Sequence, residues 1–274
     1  MTINLDLVIE TDDDSVDMKA GLTSMQGVSD AVRCIAESVL MEKVPERMTS
    51  KSNVRTSLKS SFKGSYGHIF TLDLHDAELQ KKLNEIGRSA FVELIGYFIS
   101  ESLYRESKTL SLRAQNVLDG LGETANQIVQ QLRVSSLENI HAISAKFNHD
   151  IKIRHRINRD EQTVIAKFDR NSAKVLQAKQ SDDKFDLTVV ITRLNIHTGN
   201  GRLQIEGEYE TVAFGFGITY KEVSVKAKKL FSENLDHNNG LEKDKWRYLK
   251  IVVSPIKLKD GRVVKYIVKG FYEN

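Results

Sequence analysis

The sequence predicts an α+β protein. A small N-terminal sheet with helices leads into a helical middle, and a five-stranded C-terminal β-barrel carrying one helix follows. Three observations support this. Apolar residues alternate with period two at both ends of the chain, and helical spacing dominates between them. Residues 185–216, FDLTVVITRLNIHTGNGRLQIEGEYETVAFGF, read as a long strand, a tight glycine turn and two further strands. The remainder, to residue 274, supplies a helix and two more strands. The predicted boundaries are 1–148 for an α+β domain with a helical middle, 149–183 for a connecting β-hairpin and loop, and 184–274 for the barrel.

Residues 2–10 form the first predicted strand, with Ile3, Leu5, Leu7 and Ile9 on one face and Asn4, Asp6 and Glu10 on the other. The TDDDSVD stretch gathers Asp12, Asp13, Asp14 and Asp17, but the glycine and glutamate spacing of a calcium loop is missing, so it reads as a solvated acidic loop. Residues 29–41 carry Val32, Ile35, Ala36, Val39 and Leu40 on one helical face. Residues 54–74 read as a hairpin turning at Phe62-Lys63-Gly64-Ser65, with Lys51, Arg55 and Lys59 able to share a face. Asp76 caps the next helix. Residues 89–104 are apolar nearly all round, which suits a central helix or an oligomer contact. Residues 110–132 are helical with a break near Gly120 or Gly122, and residues 136–145 form another helix.

From His149 the period returns to two. Ile151, Ile153, His155 and Ile157 point one way, and Lys152, Arg154 and Arg156 the other. Residues 163–168 complete a hairpin after the Asn158-Arg159-Asp160 turn, and this hairpin is open to joining the first sheet. His68 and His155 fall on apolar faces and read as packed residues.

Strands are then expected at 184–197, 202–210, 211–216, 245–254 and 262–271, with a helix over 220–233. Three strands, a helix and two strands is the order of an oligonucleotide/oligosaccharide-binding (OB) barrel, so residues 184–274 are predicted to be OB-like, with a split sheet of the same order as the rival. In such barrels ligands cross strands two and three and the loops joining strands one–two and four–five. Those loops carry His197, Thr198 and Asn200, and Lys257, Lys259 and Arg262. With Lys152, Arg154, Arg156, Arg202 and Lys265, the cations form a candidate nucleic-acid-binding set. Glu206, Glu208 and Glu210, placed along strand two, oppose a phosphate backbone. Of the nearby aromatics Tyr209, Phe214 and Phe216, most occupy core-like positions.

Charge is unevenly spread. Residues 1–150 hold 16 Lys and Arg against 21 Asp and Glu, a net −5; residues 151–274 hold 24 against 16, a net +8. That favours an anionic partner for the back half, although such imbalance speaks to association rather than fold. The longest strongly apolar run, residues 90–99, is interrupted by Glu93 and is far short of the roughly 20 residues a bilayer needs. An acidic N-terminus is no signal peptide. One cysteine, Cys34, excludes an internal disulfide and a cysteine zinc cluster. A cytoplasmic protein without a membrane partner is expected.

No dinucleotide glycine motif, phosphate-binding loop, HExxH or nucleophile elbow is present. Asp182, Asp183 and Lys184 are adjacent in a loop, which gives no convergent geometry. The expectation is therefore no catalytic residue, metal or cofactor, with an unrecognised hydrolase or nuclease using Asp182 or His197 as a third reading. The preferred role is an interaction or assembly protein that binds a partner protein through helical body and barrel and forms a homo-oligomer. Nucleic-acid binding is the alternative.

Two pieces, KAGLTSMQGVSDAVRCIAESVL with FKGSYGHIFTLDL, and LNIHTGNGRLQIEGEYETVAFGF with GRVVKYIVKGF, resemble uncharacterised two-part bacterial proteins often encoded on prophages or among phage-defence genes. The resemblance implies that setting and transfers no site residue.

Overall fold

A computed structural model describes residues 1–12, 15–45, 52–62 and 65–272. Asp13 and Asp14 of the acidic stretch, and Lys51, Lys63 and Gly64 around the predicted hairpin, lie outside the described residues. The chain divides into two compact units, Met1–Leu176 and Gln177–Asn274.

The first unit runs β1 (Thr2–Ile9), α1 (Met18–Met41), β2 (Val54–Phe62), β3 (Tyr66–Leu74), α2 (Ala77–Ile86), α3 (Arg88–Ser102), α4 (Leu112–Leu121), α5 (Glu123–Val134), α6 (Ser136–Ile140), α7 (Ala142–Phe147), β4 (Ile151–Arg156), β5 (Gln162–Phe168) and α8 (Arg170–Leu176). Its strands form one antiparallel sheet in the order β2-β3-β1-β4-β5. Residues 149–168, expected as a connecting hairpin, therefore belong to this sheet. The polar backbone of β4 needs partners on both sides, and β1 supplies the second, with Leu7 opposite Ile153 and Asp6 opposite Arg154. The boundary between units follows at 176/177 rather than at 148 or 183.

Alternation decides what each face does. Ile3, Leu5, Leu7, Ile9, Phe70, Leu72, Ile151 and Ile153 all join the core with α1 and α3. The other face carries polar side chains, among them Asn4, Asp6, Thr71, Lys152 and Arg154.

Helix α1 starts at Met18, well before the expected residue 29. Asp17 caps it, its Oδ1 accepting from Ala20 N at 2.8 Å, so this carboxylate closes a helix and is not part of a loose loop. Small residues line its buried face, and at Gly27 the α6 backbone comes so close that a Cβ would run into Ile140 N and Ser136 O. Asp76 caps α2 as expected, accepting from Leu79 N at 3.0 Å. The helical break falls at Gly122, between α4 and α5.

The second unit comprises β6 (Lys179–Gln180), β7 (Phe185–Leu194), β8 (Gly201–Ile205), β9 (Thr211–Phe216), a 3-10 turn at Tyr220–Glu222, α9 (Val225–Asn238), β10 (Leu249–Lys257) and β11 (Val263–Phe271). Five strands close into a mixed barrel in the order β7-β8-β9-β11-β10, with β10 pairing back to β7. The β9–β11 pair is parallel and the others are antiparallel. This is the OB-like connectivity, with the helix between the third and fourth barrel strands. Closure leaves no unpaired edge among the five. Phe231 of α9 is fully buried against Phe214 and Phe216, with ring centroids 5.6 and 5.2 Å away. The buried Asn234 accepts from Ile191 N at 2.8 Å, next to the bulge where β7 bends.

One strand is shorter than its pattern. Alternation runs on to Glu210, yet β8 ends at Ile205 because Gly207 turns the chain at φ +81°. Glu206, Glu208 and Glu210 are exposed in the β8–β9 loop and do not line a strand face.

Candidate nucleic-acid interface

The barrel's outer surface is built by register. Arg202 lies opposite Ala213 and Gln204 opposite Thr211, while Lys265 runs beside Ala213 and Ile267 beside Gly215. These side chains face outward, since Leu203, Phe214, Tyr266 and Val268 between them are core. The middle of the surface is thus small and flat: Thr211, Ala213, Gly215 and Gly217. Lysines from β11 lie across it. A Cβ on Gly215 would come within 3.2 Å of Lys265 Nζ, and one on Gly217 within 2.8 Å of Lys269 Nζ. Glycine at these positions gives the ammonium groups their seats.

The loop between β7 and β8 is a tight built turn. Asn195 Oδ1 accepts from His197 N and Thr198 N at 2.9 and 3.1 Å, and Gly199 N donates to Asn195 O at 2.8 Å. Thr198 is buried, His197 is exposed, and half-buried Asn200 accepts from Lys265 Nζ at 3.1 Å. The β10–β11 loop is pinned by Leu258 N donating to Arg262 O at 2.9 Å. It presents Lys259 and Arg262 to solvent, with no ion pair to either among the described residues. Lys257 instead pairs with Asp183 at 3.4 Å, and hydrogen bonds from Ser181 and Lys257 hold that carboxyl below its usual range.

Arg202 differs from its sequence assignment. It is 8 % exposed, and its guanidinium donates to Thr211 Oγ1 and O at 2.7 and 2.6 Å. It stiffens the β8–β9 pair and offers no open fork to a phosphate.

Tyr209, named from the sequence, is joined at the other end of β8 by aromatic groups that the sequence does not single out. Tyr209, Trp246 and Tyr248 line a recess of about 210 Å³ with Val190 and Gln204 of the outer face, and the carboxylate of Glu208 lines it too. Tyr209 is 88 % exposed. Lys243 Nζ sits 5.1 Å from the Tyr209 ring centre and 5.6 Å from that of Trp246. Phe214 and Phe216, by contrast, belong to the core.

The three cations of β4 sit in the first unit and are all engaged by carboxylates of β1 or of Glu10 just after it. Lys152 pairs with Glu10. Arg154 Nη2 donates to Asp6 Oδ2 at 2.8 Å, and Arg156 grips the same carboxylate through Nε and Nη2 at 2.5 and 2.8 Å. Asp6 is fully buried beneath them.

The histidines at apolar positions are half-buried, and burial lowers the pKa of both His68 and His155, the latter also through Arg88. Burial pushes the Cys34 thiol up to about 11, which keeps it protonated. Among the described residues, no three His, Cys, Asp or Glu side chains are grouped to hold a metal ion. No described helix is long and apolar enough to cross a membrane.

No family model matches the chain, and no solved structure matches it. A curated protein with detectable similarity is a subunit of the ATP-dependent helicase/deoxyribonuclease of Lactobacillus helveticus (strain DPC 4571). It is 27% identical over 188 residues, covering 61% of this chain and 16% of that protein. The chain thus spans a small fraction of the length of the relative it matches.

Proposed function

We propose that the chain is a cytoplasmic binder of single-stranded nucleic acid, acting through the outer face of its barrel in a bacterial phage-defence or mobile-element system. One observation carries the reading: cations from β11 and the β10–β11 loop share a surface with the Tyr209–Trp246–Tyr248 recess. Single strands are held by that combination, phosphates on cations and bases on rings. The three glutamates lie in one loop beyond the end of β8, and of them Glu208 lines the recess and opposes a phosphate there, so the phosphates are assigned to the cations of β11 and the β10–β11 loop. Similarity to a protein named as a helicase/deoxyribonuclease subunit supports the same class of ligand. No step of catalysis is part of this reading.

Trp246 is the single tryptophan of the chain, so its fluorescence reports on the recess directly. A short oligonucleotide should quench it, with affinity falling as salt rises. Each lost phosphate contact should shallow the log–log salt slope by about 0.7, so Arg262→Ala with Lys269→Ala should reduce it by about 1.4. Salt-independent affinity, or full affinity in the double variant, would refute the reading.

A second reading, assembly of copies of the chain through the helical body, draws on one feature of α1. Met18 and Leu22 are 77 % and 54 % exposed and continue into Met25, which lines an apolar groove with Leu58. Light scattering of Leu22→Lys against the parent protein tests it; an unchanged mass in both would remove it.

A further inference from the structure

We propose that Arg154, Arg156 and Arg159, grouped on the polar face of the first unit's sheet, form a site for a phosphate monoester. This site is separate from the barrel surface, and the proposal does not depend on nucleic-acid binding there.

The three arginines line one open cavity of about 650 Å³ together with Asn4, Phe62 and Gln162. Arg156 alone satisfies Asp6: its Nε and Nη2 make the parallel two-bond fork that matches a carboxylate in charge and shape. Arg154 is then a surplus cation. It spends one hydrogen bond on the same carboxylate. Its Nε is buried and has no partner among the described residues. A structural ion pair gains nothing from a second, half-buried guanidinium whose buried Nε is idle, because an unsatisfied buried donor is costly. A bound oxyanion would instead take its bonds from the part of the Arg154 side chain that stays accessible, 23 % of it, at the cavity wall.

Position is also prepared. The guanidinium carbons of Arg154 and Arg156 lie 5.3 and 5.5 Å from the centre of the Phe62 ring, which restricts both side chains. Arg159, at the turn after β4, is exposed and forms no ion pair among the described residues. Three arginines less one aspartate leave a local charge of +2. A phosphate monoester, carrying about −1.5 to −2 at neutral pH, matches it better than a carboxylate or a phosphodiester. Lys152 is not part of the site, since Glu10 already neutralises it.

The test uses the full chain and calorimetry at constant ionic strength. Probes are a nucleoside 5′-monophosphate, its parent nucleoside, dimethyl phosphate and a 5′-phosphorylated oligonucleotide. One equivalent of the monophosphate should bind, the nucleoside should not, and dimethyl phosphate should bind much more weakly. Arg159→Ala, a surface change, should weaken the monophosphate about tenfold. Arg154→Gln should do so at least as strongly, with circular dichroism checking its fold. Lys81→Ala, at an exposed cation of the same unit that does not line the cavity, should leave it unchanged. Preference for the oligonucleotide would assign the ester to a strand end, and preference for the monophosphate to a free ester; either upholds the site. No binding, equal affinity for dimethyl phosphate, or full affinity in Arg159→Ala would overturn it.

Discussion

Acidification should loosen the first unit at one identifiable point, His141. Its ring is 2 % exposed and stands edge-on to Phe168, with centroids 5.3 Å apart. Nδ1 lies 2.6 Å from Leu137 O, which can only accept, so this nitrogen carries the proton. Nε2 lies 2.7 Å from Ser172 Oγ and accepts from that hydroxyl. Burial, the largest influence, holds the imidazole down to about 4; Leu137 O and Asp169 act in the opposite sense, and Arg105 in the same one. In the unfolded chain the group titrates near 6.5. The unfolded state therefore binds the proton first. The stabilising effect of neutral His141 is complete above pH 6.5 and is lost progressively toward pH 4.

Those two values put the loss at about 2 kcal/mol by pH 5. Urea unfolding at pH 7.5 and pH 5, for the parent chain and His141→Gln, isolates it. The variant is less stable at pH 7.5 but should lose about 2 kcal/mol less than the parent on acidification. Direct titration of the imidazole by NMR should give a midpoint well below that of a free histidine. Equal losses in the two proteins, or a native midpoint at 6 or above, would refute the account of this packing.

Gly27→Ala tests the α1–α6 approach by its sign. Helix propensity alone predicts a gain of about 0.5–1 kcal/mol. A Cβ 2.8 Å from Ser136 O and closer still to Ile140 N should instead produce a net loss of about 1–3 kcal/mol; any gain in denaturant midpoint counts against the packing. Asp6→Ala strands Arg154 and Arg156 and should cost about 3–5 kcal/mol, with much of it recovered when Arg156 is also replaced by an apolar residue. Cys34 should resist iodoacetamide at pH 8 in the native protein and react readily in denaturant, because its buried thiol stays protonated up to about 11.

Elements that bury one face were legible in the sequence; elements defined by what they touch were not. Strands β1, β3 and β4 announce themselves because alternate residues enter one core. The first half of α1 does not, because Gly21, Thr23, Ser24 and Gly27 are weak helix formers, and Gly27 is there for the backbone of α6. Helix α8 is short and set by a local cap, Ser172 N donating to Asp169 Oδ1 at 2.6 Å, which leaves little periodic signal. The end of β8 was misread because alternation survives through a glycine turn. At the candidate sites, outward cations could be named, but not their partners: Asp6 reaches Arg154 across 148 residues. The aromatic recess was missed because Tyr209 and Trp246 are joined by the barrel and not by spacing.

The placement of β4 and β5 also changes what the charge asymmetry means. Counted by halves, the chain runs from −5 to +8. Counted by the units that exist, Met1–Leu176 carries −1 and Gln177–Asn274 carries +4. Half of the apparent basic surplus thus sits in the first unit, where Glu10 and Asp6 neutralise much of it. The remaining +4 on the second unit is modest, so long-range attraction cannot by itself select an anionic ligand. Selection has to come from where individual charges stand: lysines seated over glycines beside exposed rings in one unit, and a surplus arginine with an idle buried donor in the other. A variant that keeps net charge but removes one of these cations, such as Lys269→Ala with Glu233→Gln, should therefore lose barrel binding as fully as Lys269→Ala alone.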